Sequence, residues 1–357
     1  MPATKNPSIV ELANRLGEDI RERKLTPGEP YLTASEAALK LGVSTQRANR
    51  TLQLLSVRRQ IVRSRGSAPT ILDPYADQNG KVSIRKIHIF IPKADMTTEG
   101  IYSDGCLLGL QKALPDADIH LNFFPAQNEG QFTQDIVTLS TAKDEMAGFV
   151  LVRSSIESQL TIAESGLPAV IHGSPYPGVK GIPSIDRDYI AAADLHVDYF
   201  QRKGCSRIIL LMHDHMYAGG FLFKQALQTK FESIGFPHCA ITPIFIPVHE
   251  VAAQQTLIDH VSNNSENTGV IVFGGHIAEV CCHAMKRLNL KNKHDLFMTY
   301  GGYYATGPKI IQKIPHEESV ISPEEQGELV GRILEAQINP ANPTPEPYRM
   351  EMQFVES

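Results

Sequence analysis

Tryptophan is absent from the 357 residues, and no apolar run approaches the roughly 18 residues that a membrane-spanning helix needs. The opening MPATKNPSIVEL has no apolar core of the kind a secretory leader carries, so the cytoplasm is the expected compartment. The five cysteines (Cys106, Cys205, Cys239, Cys281, Cys282) are odd in number and never spaced CxxC, which speaks against a disulfide framework or a structural zinc site. They read as buried reduced thiols, with Cys281 and Cys282 pointing apart on a helix. No GxGxxG, no GxxxxGK[ST] and no Ser–His–Asp nucleophile elbow occurs, so Gly274–Gly275 and Gly301–Gly302 read as tight turns. With 42% hydrophobic and 20% charged residues, the chain is globular and long enough for two or three domains.

One further absence is local. Residues 40–72 hold seven Lys and Arg and no Asp or Glu. Residues 1–72 carry 12 basic against 6 acidic side chains, whereas the remainder carries 22 against 33. The sequence therefore splits into a small anion-binding module and a larger acidic body.

In the module, Ser8 and Glu11 make an S-x-x-E capping box before Ile9, Leu12, Ala13, Leu16 and Ile20 at helical spacing. LTPGEP breaks that helix. Thr33 and Glu36 repeat the box for a short second helix, which Gly42 ends. Ser44 caps a third helix, VSTQRANRTLQLL, with Ala48, Leu52 and Leu55 on one side. Gln46, Arg50 and Gln53 point the opposite way, flanked by Arg47 and Asn49. RRQIVRSRGSAPTIL then reads as a short basic hairpin with Arg63, Ser64, Arg65, Gly66 and Ser67 at its tip. Helix, glycine turn, helix and hairpin make a winged helix-turn-helix.

The run PGEPYLTASEAALKLGVSTQRANRTLQLL resembles the N-terminal reader of GntR-type transcription regulators, the likeness covering residues 8–72. It departs where that family has Pro-Ser-Glu-Arg and this chain has Leu32, Thr33, Ala34 and Ser35, and its wing lacks the second glycine. The expected DNA-facing residues are Thr33, Ser44, Thr45, Gln46, Arg47, Asn49, Arg50, Arg63, Arg65 and Gly66. The chemistry suits them: Arg pairs with guanine O6 and N7, Asn or Gln with adenine N6 and N7, and a helix N-terminus with Ser and Thr holds a phosphate.

Residues 73–84, DPYADQNGKVSI, read as a linker. Beyond it, apolar strands at 86–92, 118–125, 148–154, 168–173, 206–212, 240–247, 268–275 and 295–302 alternate with helical stretches. The predicted class is α/β, with doubly wound parallel sheets in two lobes.

That body resembles the effector-binding part of LacI-type repressors, which is related to periplasmic sugar-binding proteins. The likeness rests on AGFVLVRSS, on LPAVIHG followed by PSIDRDYIAAADLHVDYFQRKGCSRIILL, on FLFKQAL and on SVISPEEQGELVGRIL. It implies lobes of about 85–186 with 303–321 and about 187–300 with 322–357, crossing near Asp186, Tyr300 and Ser322. It also implies a ligand cleft at the C-terminal strand ends, with Tyr102, Arg153, Asp186, His213, Asp214, Tyr217, His276 and Tyr303 as lining residues. The Arg and two Asp with which sugar-binding members clamp hydroxyls are missing, and histidines and tyrosines stand in their place. Asp186 either holds a ligand hydroxyl or caps the next helix, and Arg153 suits an anionic ligand. His213 with His215, and His276 with Cys282 and His283, read as lining and packing rather than as metal ligands.

The expectation is a ligand-responsive regulator, a repressor by resemblance, that binds double-stranded operator DNA as a homodimer and uses no metal or cofactor. The alternative is a DNA-binding dimer whose altered cleft takes no effector. A pyridoxal-phosphate enzyme body, also found behind GntR-type readers, would need a longer domain and a Schiff-base lysine in context, and neither is visible.

Overall fold

The computed structural model describes residues 7–58, 60–63, 68–72, 83–93, 104–125, 127–141, 146–213, 217–235, 241–246, 254–256, 258–259, 268–287, 296–301, 314–338 and 345–356. The chain divides into two compact units, residues 1–91, 108–184 and 327–346 in the first and 92–107, 185–326 and 347–357 in the second.

The first unit begins with α1 (Ile9–Glu22), α2 (Ala34–Leu41) and α3 (Thr45–Val57). Both capping boxes form, so Ser8 with Glu11 and Thr33 with Glu36 satisfy orphan donors at each helix start. Gly42 ends α2 at φ 66°, a left-handed conformation that favours glycine. Leu12, Leu16, Ala37, Ala48, Leu52 and Leu55 are buried between the helices. Asp19 anchors this bundle: Tyr31 Oη donates to it at 2.9 Å and Lys40 Nζ lies 2.7 Å away. Strands β1 (Ile61–Val62) and β2 (Thr70–Ile71) pair antiparallel, and the Ile71 N–H donates to the Glu29 carbonyl at 2.8 Å.

Next come β3 (Lys86–Pro92), α4 (Asp104–Ala113), β4 (Asp118–Phe124), α5 (Glu129–Thr141), β5 (Ala147–Val152), α6 (Ile156–Ser165), β6 (Ala169–His172) and β7 (Ser184–Arg187). Then follow α7 (Tyr189–Arg202), β8 (Arg207–His213), α8 (Ala218–Ser233), β9 (Ile241–Ile246), β10 (Thr268–Phe273), α9 (Gly275–Arg287), β11 (Leu296–Gly301), β12 (His316–Ser319), α10 (Pro323–Ala336), β13 (Tyr348–Met350) and β14 (Met352–Val355). One six-stranded sheet runs β13-β7-β6-β5-β3-β4 and the other β14-β12-β11-β10-β8-β9. The pairs β3/β5, β5/β6 and β7/β13, and β8/β9, β8/β10 and β10/β11, are parallel. β14 is antiparallel to β12.

The continuous apolar strands follow from helices on both faces. In the second unit Ile209, Leu211, Val270 and Val272 point into a core with Ile277, Ala278 and Cys281 of α9. Ile208, Leu210 and Met212 alternate to the other face, against Ala193, Val197 and Phe200 of α7 and Phe223, Leu227 and Phe231 of α8. Gly269 lets Phe200 approach, since a Cβ there would lie 2.5 Å from the ring.

Near the C-terminus, the pairing of His316 with Tyr300 and of β12 with β14 puts 316–319 in the second sheet. Residues 327–346 belong to the first unit instead. There Gly331 meets Ala113, and Leu334 packs against Gly148. HEES has no apolar run to mark it as a strand, whereas Val330, Ile333 and Leu334 give α10 a buried face.

Candidate functional site

Two sets of residues matter, one on α3 and its hairpin and one at the carboxyl ends of the sheet strands. On α3 each flank is tied. At about 100° per residue, Arg47 and Leu54 share one flank and Asn49 lies on the other. The Arg47 guanidinium donates to the Pro7 carbonyl, ahead of α1, and Arg47 is half-buried. Leu54 is buried and meets Gly166 at the end of α6. On the opposite flank Arg63 Nη2 donates to Asn49 Oδ1 at 2.6 Å, joining the hairpin to the helix. Between these ties stand Gln46, Arg50 and Gln53, with Gln46 exposed and the other two half-buried.

Ser44 caps α3, its hydroxyl accepting from the Arg47 N–H, and Ser44 and Thr45 are exposed at that N-terminus. Thr33 is occupied by its cap, donating to Glu36 Oε2 at 2.8 Å. The two backbone and side-chain hydrogen bonds from Thr33 hold the Glu36 carboxyl below the usual range, so an anionic group sits at the start of α2. Arg63 is exposed beyond β1, while Arg65 and Gly66 lie outside the described residues. The structure therefore leaves a carboxylate-free surface on α3 bounded by Ser44, Gln46, Asn49, Arg50 and Arg63.

Of the expected ligand residues, Tyr102, Asp214 and Tyr303 lie outside the described residues, and for His276 only its place in α9 is described. Arg153 directly follows β5 with φ 46°, a left-handed conformation rare for a residue with a side chain. Strain of this kind gathers at ligand sites when the surroundings hold it in place. After it come the buried Ser154 and the half-buried Ser155, the N–H of Ser155 donating to Glu129 Oε2 at 3.1 Å. His172 pairs with Val152 at the end of β6 and is buried, as is Ser174. Gln159 is buried too and accepts from the Tyr176 N–H at 2.9 Å. Ser154, His172, Gln159 and Ser174 went unnoticed in the sequence. For Ser154, His172 and Ser174 the signal was present, since each is polar and lies at or within two residues of the end of an apolar strand, whereas Gln159 lies inside α6 with no such signal.

In the second unit Asp186 is buried, and its Oδ1 accepts from the Arg187 N–H at 2.9 Å and from Tyr189 Oη at 3.2 Å. It does not cap α7: Asp188 does, accepting from the Ile190 and Ala191 N–H groups. His213 is the half-buried last residue of β8, and Tyr217 directly precedes α8.

Beside Asp186 lies a buried ionic cluster that sequence reading missed. Arg187 Nη1 is 2.6 Å from Glu317 Oε1, and their side chains are 2% and 0% exposed. Glu317 Oε2 faces His196 Nε2 at 3.5 Å, and His196 Nδ1 lies 2.8 Å from Thr299 Oγ1. The Arg187 guanidinium carbon rests 5.5 Å from the centre of the Tyr189 ring and 5.3 Å from that of Phe273, two cation–π contacts. Burial pushes the Glu317 carboxyl up, but contact with His196 and the charge of Arg187 outweigh it and hold the group below its ordinary range.

Among the described residues no group of three or more His, Cys, Asp or Glu is placed to hold a metal ion. None of the described helices is long and apolar enough to cross a membrane.

No protein-family model matches the sequence, and no curated protein matches it either. Solved structures do. A transcriptional regulator CelR–cellobiose complex superposes with a TM-score of 0.62 at 14% identity, over 91% of this chain and 98% of that one. That coverage exceeds what residues 85–357 alone could supply, so it reaches into the N-terminal helices. A periplasmic binding protein/LacI transcriptional regulator from Alkaliphilus metalliredigens, complexed with D-xylulofuranose, gives 0.60 at 14% identity over 76% and 97%. A LacI family transcriptional regulator from Enterococcus faecium with bound ribose gives 0.59 at 12% identity over 76% and 97%. The likeness establishes the fold: an α/β chain with parallel sheets of the periplasmic-binding-protein-like type found in LacI regulators.

Proposed function

We propose that the protein is a ligand-responsive, DNA-binding transcription regulator, in which α1–α3 and the hairpin form a GntR-type winged helix on a LacI-type body. One observation carries the reading. α3 turns a surface of Ser44, Gln46, Asn49 and Arg50 outward, without a carboxylate, and the hairpin guanidinium of Arg63 is locked to it. Such a helix fits the major groove, where amides and guanidiniums match base-edge donors and acceptors. Arg47 serves the fold of the head, because its guanidinium already holds the Pro7 carbonyl.

Two copies of the chain on a two-fold operator supply the affinity that one short helix lacks. The sugar-bound structural neighbours support a sugar or sugar derivative as effector. The strained Arg153 and the buried Ser154 and His172 support its placement at the carboxyl edges of the strands of the first unit. Repression relieved by the effector follows the LacI-type pattern.

The test is selection of duplexes from random sequence by the full-length chain, then titration of the enriched duplex with and without a panel of sugars and sugar acids. A coupling of about 1–3 kcal/mol would change DNA affinity roughly 5- to 150-fold. A compound that stabilises the protein yet leaves DNA affinity unchanged would refute the regulatory reading. A chain that enriches nothing would refute the DNA-binding one.

A further inference from the structure

The reading helix is seated on the body, and the seat is unusually close. α6 ends at Gly166, which adopts φ 69° and ψ 13°. A Cβ on Gly166 would lie 2.8 Å from Leu54 Cδ2 and 3.0 Å from Val10 Cγ2, so only glycine admits both side chains. Leu54 does not belong to the stripe that packs α3 within its own bundle. It lies roughly 100–160° around the helix from Ala48, Leu52 and Leu55. Yet it is 3% exposed, and Gly166 meets its methyl directly. Val10 brings the start of α1 to the same glycine, and Arg47, on the flank of Leu54, ties α3 to Pro7. α3 is thus held from the side opposite Asn49 and Arg63, leaving its outward face clear.

We propose that Leu54 and Val10, seated against Gly166, are positioning residues for DNA recognition. They hold α3 at one angle on the first unit and so decide which separation of half-sites the dimer accepts. The inference rests on the DNA-binding reading above. Its physical basis is geometric. Each base pair inserted between half-sites moves one of them about 3.4 Å along the duplex and turns it by roughly a tenth of a helical turn. A seated head cannot follow that displacement, and an unseated head can.

The experiment uses the full-length chain, the duplex it enriches from random sequence, and versions of that duplex with one to three base pairs inserted between the half-sites. The wild-type chain is expected to lose on the order of a hundredfold in affinity on insertion, because simultaneous engagement becomes impossible. Leu54→Glu is expected to bind the original and the lengthened duplexes with nearly equal affinity. Val10→Ser, which leaves α3 itself unaltered, is expected to do the same and decides the matter if Leu54→Glu does not fold. A mere loss of stability would lower affinity for all the duplexes together and leave their ratio at the wild-type value. Folded variants that keep the wild-type spacing ratio overturn this inference while leaving DNA binding intact. A wild-type chain that enriches no duplex overturns the DNA-binding reading and this inference with it.

Discussion

Replacing Glu317 with leucine takes the carboxylate away from a buried guanidinium. Arg187 lies almost wholly out of solvent, its Nη1 2.6 Å from Glu317 Oε1 and its guanidinium over the Tyr189 and Phe273 rings. The rings attract a cation but accept no strong hydrogen bond. Removing one partner of such a pair costs about 3–5 kcal/mol, whereas exchanging both for apolar residues of similar volume is often neutral. For a unit of this size that translates into a fall in Tm of roughly 6–20 °C, at about 2–4 °C per kcal/mol. Calorimetry and urea unfolding on Glu317→Leu, Arg187→Met and the double variant form a cycle. The double variant is expected to be more stable than either single one, so the coupling must exceed the larger single cost, about 3–5 kcal/mol. Single costs that simply add, or a Glu317→Leu cost below about 1 kcal/mol, would show that the pair does not act as a buried ionic unit. Acid should act in the same direction. The folded carboxyl titrates below its ordinary value, so its contribution is present above that value and is lost as pH falls through the lowered one.

Three further outcomes are expected. Arg50→Ala should weaken binding at the enriched duplex by about 1–3 kcal/mol and relax one base position, while Arg47→Ala should lower the melting temperature and spare base preference; anisotropy titrations against single-base variants separate them. Burial, with the nearby charge of His120, drives His88 down to about 4, so between that value and 6.5 the unfolded chain holds a proton the folded one lacks, and stability should rise with pH across this window; His88→Gln should flatten the slope, and an unchanged slope assigns it to other groups. Gly269→Ala should destabilise the second unit by about 1–3 kcal/mol, because the added carbon lies 2.5 Å from the Phe200 ring and 2.7 Å from Ile208 Cδ1; unaltered urea unfolding would mean that the core yields there freely.

The eight long strands were legible because each is an apolar run with turn residues around it, and their ends agree within one or two residues where they are described. The caps at Ser8, Thr33 and Ser44 were legible because capping is a local matter of three or four residues. SIDR, HEES and the last two strands were not, since short polar or alternating segments pair only because neighbouring strands are already in place. Distance along the chain hid the rest. Arg47 meets a carbonyl 40 residues away, and Arg187 meets Glu317 across 130. In the site, the types of residue on α3 were readable from helical periodicity, whereas their individual roles depend on what tertiary packing brings to each flank. Asp186 shows the same limit, its neighbour Asp188 having taken the cap.

The most direct test of the central claim is the affinity of the full-length chain for its enriched duplex over a series of salt concentrations. An α3 and hairpin surface carrying Arg50 and Arg63 on the DNA should make log K fall with log[salt], with a slope of roughly −0.9 for each phosphate neutralised. The account predicts a steep line whose slope shrinks by about one unit in Arg63→Ala. A flat line would contradict DNA binding by this surface.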